Sequence, residues 1–530
     1  MPGLISGNWV APFWGAEKPF ITGQDMLGMQ NTSIATYAKL LPGLTNLTRR
    51  MRYYGLYMWL LEQYAKEINK VSIVEYQKFM RRGELLLAFI MSYKLPDEQG
   101  VVGSQYAKKY LSEHKDIIAI SEGADRNSER RTYWKYSTGA FGQYYQGALT
   151  AIGLIAHSER DKRLSVCTPD RGRRLAEYFE NMTTEDSRKQ YLQIIESGNA
   201  SIEDLALLGD EFSLTGIVPG TDEWKFYINL LFGPDYPTIE VPAGHSTFRR
   251  ETIILYLEYL SDAQLNASAG GFPWSFYLRK WKKTPFIDYI ASSGWYYYAL
   301  NENAHYCMET FLWALLVELN SRGQVLLHAI IKDFAMETYK ALEVSSSFSF
   351  KIDETLSFDD FAEKLYREGF HPSTHTDAIN QIKPAAIFEG VAHAMCVLGM
   401  LYHHDKMQID ALRVYSRNHV MNRDGDVVQL LEWIESHKKL SVSAFIERLL
   451  LQNVINRHLE VAMRKMRNRN ENTLKFIFED NMLRSVGVVE PVWTGPRIAS
   501  LNHFLVDLKL VDRDKKLTVL GQKVLAEKLQ

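Results

Sequence analysis

A chain of 530 residues, 46% hydrophobic and 23% charged with 33 Gly and 16 Pro, has a globular composition, which excludes a disordered, collagenous or single-module polypeptide. With 61 Lys+Arg against 63 Asp+Glu the net charge is -2, so attraction to nucleic acid or an anionic membrane has to come from a local patch. Cys167, Cys307 and Cys396 stand far apart and no apolar run reaches membrane-spanning length, so a reducing cytoplasm is expected, without disulfides, a Cys-rich zinc site or a membrane span.

The expected class is mainly α, a multi-domain helical protein with two winged-helix-like modules carrying small β wings. Its divisions are read as an N-terminal helical domain at 1–122, a winged-helix-like module at 123–186, a central helical domain at 187–450 and a basic C-terminal winged-helix-like module at 451–530. Near the start, Leu41-Pro-Gly-Leu-Thr-Asn-Leu-Thr-Arg-Arg-Met-Arg-Tyr53 combines a Pro-Gly turn, a polar segment able to cap a helix, and cations beside aromatics. From Leu56 to Ile90 apolar residues recur at three- and four-residue spacing, predicting packed helices within 32–120. Gly123 to Arg131 is polar and turn-rich and reads as a loop.

Beyond it, Gly147 to Ile155 reads as a helix end, His157 to Lys162 as a polar turn, Arg163 to Cys167 as a short strand, and Thr168-Pro-Asp-Arg-Gly172 as the opening of a helix containing Leu175, Ala176 and Phe179. The stretch from Ser187 to Leu450 is dominated by helical periodicity. The C-terminus repeats the earlier order: an amphipathic helix from Ile498 to Leu508, a turn at Asp512 to Lys515, a strand at Lys516 to Thr518, and a closing helix from Gly521. Two copies of one pattern suggest an internal duplication.

On the residues Pro42, Gly43, Thr45, Arg50, Arg52 and Tyr53, the N-terminal segment resembles a family of uncharacterised bacterial proteins found near helicases and nucleases in phage-defence gene clusters, whose members carry Pro-Gly-x-Ser/Thr followed by Arg-x-Arg-Tyr. The first winged-helix-like segment, with its Thr…Gly-x-x-Leu-Ala ending, is similar to theirs in order and spacing. The resemblance implies a role in bacterial defence and supplies no catalytic residues to carry over.

Residues 451–530 hold 14 Lys/Arg against 9 Asp/Glu, a net charge of +5 in a slightly acidic chain. Arg464, Lys465, Arg467 and Arg469, with Arg497 at the head of a recognition helix offering Asn502 and His503, and Arg513, Lys515 and Lys516 in the wing, are the candidate DNA-binding residues. Protein docking by the same modules is the competing use. The first module interleaves Arg160, Lys162, Arg163, Arg171, Arg173 and Arg174 with acids, the pattern of a solvated face.

His371, His375, Asp377, His393, His403, His404 and Asp405 are dense enough to suggest a metal centre, but their spacing fits no metal motif, and His393 in an apolar helix reads more simply as a core histidine. Glu302-x-x-His305 has ligand spacing without the second copy a di-iron bundle needs. The run Trp295 to Tyr298 reads as core packing rather than base stacking. No phosphate-loop, dinucleotide or nucleophile-elbow motif occurs. The expected function is a non-enzymatic DNA-binding or adaptor component of an anti-phage complex, without metal or cofactor, working with partner ATPase or nuclease subunits. The alternative is a metal-dependent nuclease or phosphohydrolase built on the His371–Asp405 cluster.

Overall fold

Apolar residues spaced three and four apart are buried together when the chain coils, and the described residues are mainly helical, with only small antiparallel sheets. The computed structural model describes residues 25–67, 72–113, 116–126, 132–159, 161–233, 248–262, 271–278, 290–344, 348–368, 379, 386–420, 425–468 and 472–529. These form two compact units. The first holds the described residues of Ala38–Ala267, Asp288–Ser292 and Gly495–Gln530, and the second those of Met1–Tyr37, Ser268–Ile287 and Ser293–Thr494. The basic segment 451–530 thus divides between the units at Thr494.

In the first unit the periodic stretch after Tyr53 becomes two helices, Arg52–Glu67 and Ile73–Lys94. Ser72 starts the second, its hydroxyl accepting the Glu75 N–H at 3.3 Å. From Leu85 to Met91 every residue of that helix is buried, so it is wrapped on all sides. Trp59 fixes the first helix against Phe179, Tyr191 and Phe212, with ring centroids 5.4–6.1 Å apart.

The repeated element order appears twice in this unit, with matching hydrogen bonds. In the first copy the helix Gln146–Ala151 ends at Gly153 (φ +75°), and the Leu154 N–H returns to the Leu149 carbonyl. The chain then makes the hairpin Ile155–His157 with Ser165–Cys167 and enters the helix Gly172–Asn181. The Thr168 hydroxyl donates to the Gly153 carbonyl at 2.7 Å and accepts the Gly172 N–H at 3.0 Å.

In the second copy the helix Ile498–Asp507 ends at Lys509 (φ +62°), and the Leu510 N–H returns to the Leu505 carbonyl. A single bridge, Val511 to Leu517, stands for the hairpin before the helix Val519–Leu529. The Thr518 hydroxyl donates to the Lys509 carbonyl at 2.6 Å and accepts the Gly521 N–H at 3.0 Å. A Cβ on Gly172 would stand 2.1 Å from the Leu154 carbonyl oxygen, and one on Gly521 would stand 2.0 Å from that of Leu510. The duplicated Thr and Gly are therefore the clasp that closes each hairpin onto its second helix.

In the second unit the 33-residue helix Ile290–Arg322, all but its first turn, runs through the core, packed among Phe334, Phe361, Leu398 and Leu450. Tyr296, Tyr297 and Tyr298 are buried in it, the first two donating to Asp405 and Asp426 and the third sharing a hydrogen bond with the Thr494 hydroxyl. A three-stranded sheet orders Gln324–Leu326, Met482–Ser485 and Phe476–Glu479, with Asp480 (φ +50°) and Asn481 (φ +59°) turning the hairpin. That hairpin falls in a stretch for which no strand is predicted above.

Candidate nucleic-acid interface

The Leu41–Tyr53 segment is built into the first unit. Its backbone carbonyls are held by arginines: Arg497 donates to that of Leu41 at 3.2 Å and Arg249 to that of Pro42 at 3.4 Å, while the Tyr54 hydroxyl donates to that of Gly43. Arg50 pairs with Glu98 and, at 2.8 Å, with Asp507. Arg52, 1% exposed, pairs with Glu223 at 3.2 Å, donates to the carbonyls of Glu211 and Ser213, and lies over the Phe179 ring. The Tyr53 hydroxyl accepts the Val102 N–H at 3.0 Å. Burial pushes the Asp507 carboxyl up to about 6, against the pull of Arg50 and of the Met51 N–H. These motif residues form a buried joint, with their charges answered inside the protein.

The cations read as DNA-binding are placed differently. Arg464 and Lys465 are half-buried in the helix Arg457–Asn468 of the second unit, and Lys465 donates to the Asp25 carbonyl at 2.5 Å. The side chain of Arg467 and all of Arg469 lie outside the described residues. Arg497 caps its helix with φ +59° and bonds to Leu41, while Asn502 accepts the Tyr256 hydroxyl at 3.1 Å. In contrast, Arg513, Lys515 and Lys516 stand exposed on the turn of the second hairpin, whose backbone is held by the Asp512 carboxylate accepting the N–H groups of Asp514 and Lys516. In the first hairpin Arg163 pairs with Asp161, Arg173 with Glu62, and Arg171 with the Ile152 carbonyl; Arg160 lies outside the described residues.

The first unit also carries a cleft of about 810 Å³. Tyr106 and Tyr110, on the helix Ser104–Glu113, form one part of its lining, and Tyr133, Trp134 and Tyr144 another. Their settings are fixed. Phe89 packs edge-on against both Tyr106 and Tyr110, and the Tyr110 hydroxyl accepts the Ala119 N–H at 3.2 Å. Tyr133 donates to Glu84 at 2.6 Å, and Trp134 gives its indole N–H to Gln143 at 2.7 Å. Glu84 is fully buried and accepts three further donors, the Tyr57 hydroxyl at 2.5 Å and the N–H groups of Ala140 and Phe141 at 2.9 and 2.8 Å. Burial pushes its carboxyl up, and the four donors pull it back.

Glu98 links the cationic turn to the edge of the cleft. Arg49 lines the cleft, is exposed, and sits against Gly100 in the same lining. Glu98, two residues before Gly100, takes Arg50 on one oxygen and Arg513 of the turn at 3.5 Å on the other. Burial and the joint field of Arg49, Arg50 and Lys515, only partly countered by Glu98, hold the His503 imidazole below its usual range. Sequence reasoning singled out the turn and missed the cleft, although Tyr106-x-x-x-Tyr110 beside Lys108 and Lys109, and Tyr133-Trp-Lys-Tyr136, stand in plain view.

The histidine cluster is dispersed in its described part. Asp405 is buried and accepts the hydroxyls of Tyr296 and Tyr277 and the ring of His404, the last at 3.1 Å. His403 lies against Tyr366, and His393 is half-buried, its imidazole held down by burial. His371, His375 and Asp377 lie outside the described residues. Among the described residues no three His, Cys, Asp or Glu side chains converge as metal ligands.

Glu302 and His305 share the core helix with Glu309, whose carboxylate is 3.0 Å from His305 Nε2. Burial alone lowers the His305 imidazole, but Glu309 and Glu302 outweigh it and raise it to about 9. Glu302 and Glu309 also accept the N–H groups of Thr494 and Val492, so the trio ties the chain after the sheet to the core helix.

No helix among the described residues is long and apolar enough to cross a membrane. Comparison of the chain with protein-family models, curated proteins and solved structures finds no match in any of the three.

Proposed function

We propose that this chain is a non-enzymatic nucleic-acid-contacting component of a bacterial anti-phage complex, acting beside partner subunits that supply ATPase or nuclease chemistry. In this reading the two repeated modules are winged helices, and the second engages phosphates through its wing rather than through the helix Ile498–Asp507, whose Leu501, Phe504 and Leu505 are buried. The observation that carries the reading is the exposed turn cations Arg513, Lys515 and Lys516, with Arg513 paired to Glu98, two residues before Gly100, which lines an aromatic cleft with Arg49. Cations neutralise phosphates without regard to sequence, and aromatic faces accept bases without regard to sequence. The defence setting rests on the resemblance of Pro42 to Tyr53 alone.

The test is fluorescence anisotropy of labelled duplex and single-stranded DNA across a salt series. The full chain is compared with a triple variant, Arg513→Glu, Lys515→Glu and Lys516→Glu. The expected result is salt-sensitive binding by the full chain, with the log–log salt slope of the variant shallower by about 0.7–0.9 for each phosphate it no longer neutralises. Equal affinity and slope in the triple variant overturn the assignment to this turn, and absence of binding by the full chain overturns the function.

A further inference from the structure

We infer that the aromatic cleft of the first unit is a stacking site for unpaired nucleobases, so that the nucleic acid this chain prefers is single-stranded. The inference rests on the nucleic-acid reading above and assigns the cleft a ligand class of its own. At about 810 Å³ the cleft lies within the roughly 300–1,000 Å³ range of small-ligand sites, with room for planar rings.

Five of its lining side chains are Tyr or Trp, and their rings are already set in place. Phe89 backs Tyr106 and Tyr110, Glu84 anchors Tyr133, and Trp134 stands edge-on to Tyr144 with centroids 5.5 Å apart. Rings held before binding lose little freedom when a base is laid against them, which is what makes stacking contribute to affinity.

The charges in the lining divide the ligand in the same way. Arg49 and Lys109 are exposed cations that suit a backbone phosphate, and Arg513 of the cationic turn pairs with Glu98 next to the same edge. Glu113 and Glu122 are carboxylates in the same lining, which repel phosphate and suit a neutral ring. A strand running over the turn with its bases turned into the cleft satisfies both sets; a duplex, whose bases are already stacked and paired, satisfies only the cations.

The experiment compares, on the full chain at one salt concentration, a labelled oligothymidylate with an abasic strand of the same length, which carries the phosphates without the bases. The expected result is that the oligothymidylate binds about fivefold to about a hundredfold more tightly, the range that stacking of a base supplies. Trp134→Ala brings it down to the abasic level, while Trp134→Phe, which keeps a ring, restores most of the difference. The Trp134 backbone carbonyl, not its ring, accepts Arg81, so the alanine variant keeps that tie, and Tyr144→Ala is the second variant should Trp134→Ala fail to fold.

Equal binding of the two strands by the unaltered chain overturns the stacking site and leaves the phosphate-contacting function standing. No binding of either strand or of duplex overturns the function itself. Competition by free thymidine monophosphate as effective as by the oligomer overturns the single-strand assignment in favour of a free-nucleotide site.

Discussion

Glu84 is the residue through which the cleft depends on the core, and Glu84→Gln is the substitution that exposes this dependence. One carboxylate oxygen accepts the Tyr133 hydroxyl and the Ala140 N–H, and the other accepts the Tyr57 hydroxyl and the Phe141 N–H. A glutamine keeps one oxygen and points an NH₂ group at the other two donors. The tyrosine hydroxyl there can rotate to accept from the new amide, but the backbone N–H cannot, and a buried donor without a partner costs about 1–3 kcal/mol.

The cost falls on the turn that carries Tyr133 and leads to Tyr144, so the readout is local. Hydrogen exchange of peptides covering 132–145 is expected to accelerate by about fivefold to about 150-fold, while peptides of the second unit serve as an unchanged internal reference. Base-dependent binding falls with it, and phosphate-dependent binding does not. Exchange across 132–145 that stays within about twofold of the unaltered chain refutes the argument that these four bonds hold the wall of the cleft in place.

Three further outcomes follow from the same kind of reasoning. Gly172→Ala and Gly521→Ala each drive a methyl group into a backbone carbonyl and are expected to destabilise the first unit by about 1–3 kcal/mol or more, whereas Gly147→Ala, which meets nothing within 4 Å, is expected to stabilise it by up to about 1 kcal/mol; thermal unfolding separates the two signs. His458 donates from Nδ1 to the Met26 carbonyl and accepts the Lys475 N–H on Nε2, so the fold requires it neutral, and burial holds it at about 4. A depressed histidine loses stability as pH falls from its unfolded value near 6.5 through about 4, and His458→Asn is expected to flatten that acid limb in a melting series. Asp507 has the opposite sense: its folded value of about 6 lies above the usual carboxylate range, so its contribution is full below about pH 4 and is lost as pH rises through 6, a slope that Asp507→Asn removes.

The helices and the repeated Thr–Gly element order are legible in the sequence because each is written in local terms: three- and four-residue spacing, a Thr before a helix, a Gly just inside it. The hairpin Phe476–Ser485 is equally local, with Asp480-Asn481 between alternating residues, whereas its third strand, Gln324–Leu326, lies far away in the chain. The partners of buried charges were not legible at all. Nothing in the sequence joins Arg50 to Asp507, or Tyr296 to Asp405, across 457 and 109 positions. The cleft is missed for the same reason: its five rings come from two stretches, 104–113 and 132–144, that look in sequence like ordinary amphipathic helix and loop.

This bears on what the resemblance at Pro42–Tyr53 can mean. A segment shared between proteins is informative about function when its side chains face outward, and about architecture when they face inward. Here Arg50, Arg52 and Tyr53 are buried, ion-paired or hydrogen-bonded to Glu98, Asp507, Glu223 and Val102, and the carbonyls of Leu41, Pro42 and Gly43 are held by Arg497, Arg249 and Tyr54. Removing one member of such a pair strands its partner in a dry interior, at about 3–5 kcal/mol, so changes in this segment act first through folding. Arg52→Ala is expected to unfold the first unit rather than to weaken nucleic-acid binding in a folded protein. A folded Arg52→Ala chain that no longer binds would return the motif to the surface chemistry it resembles on paper.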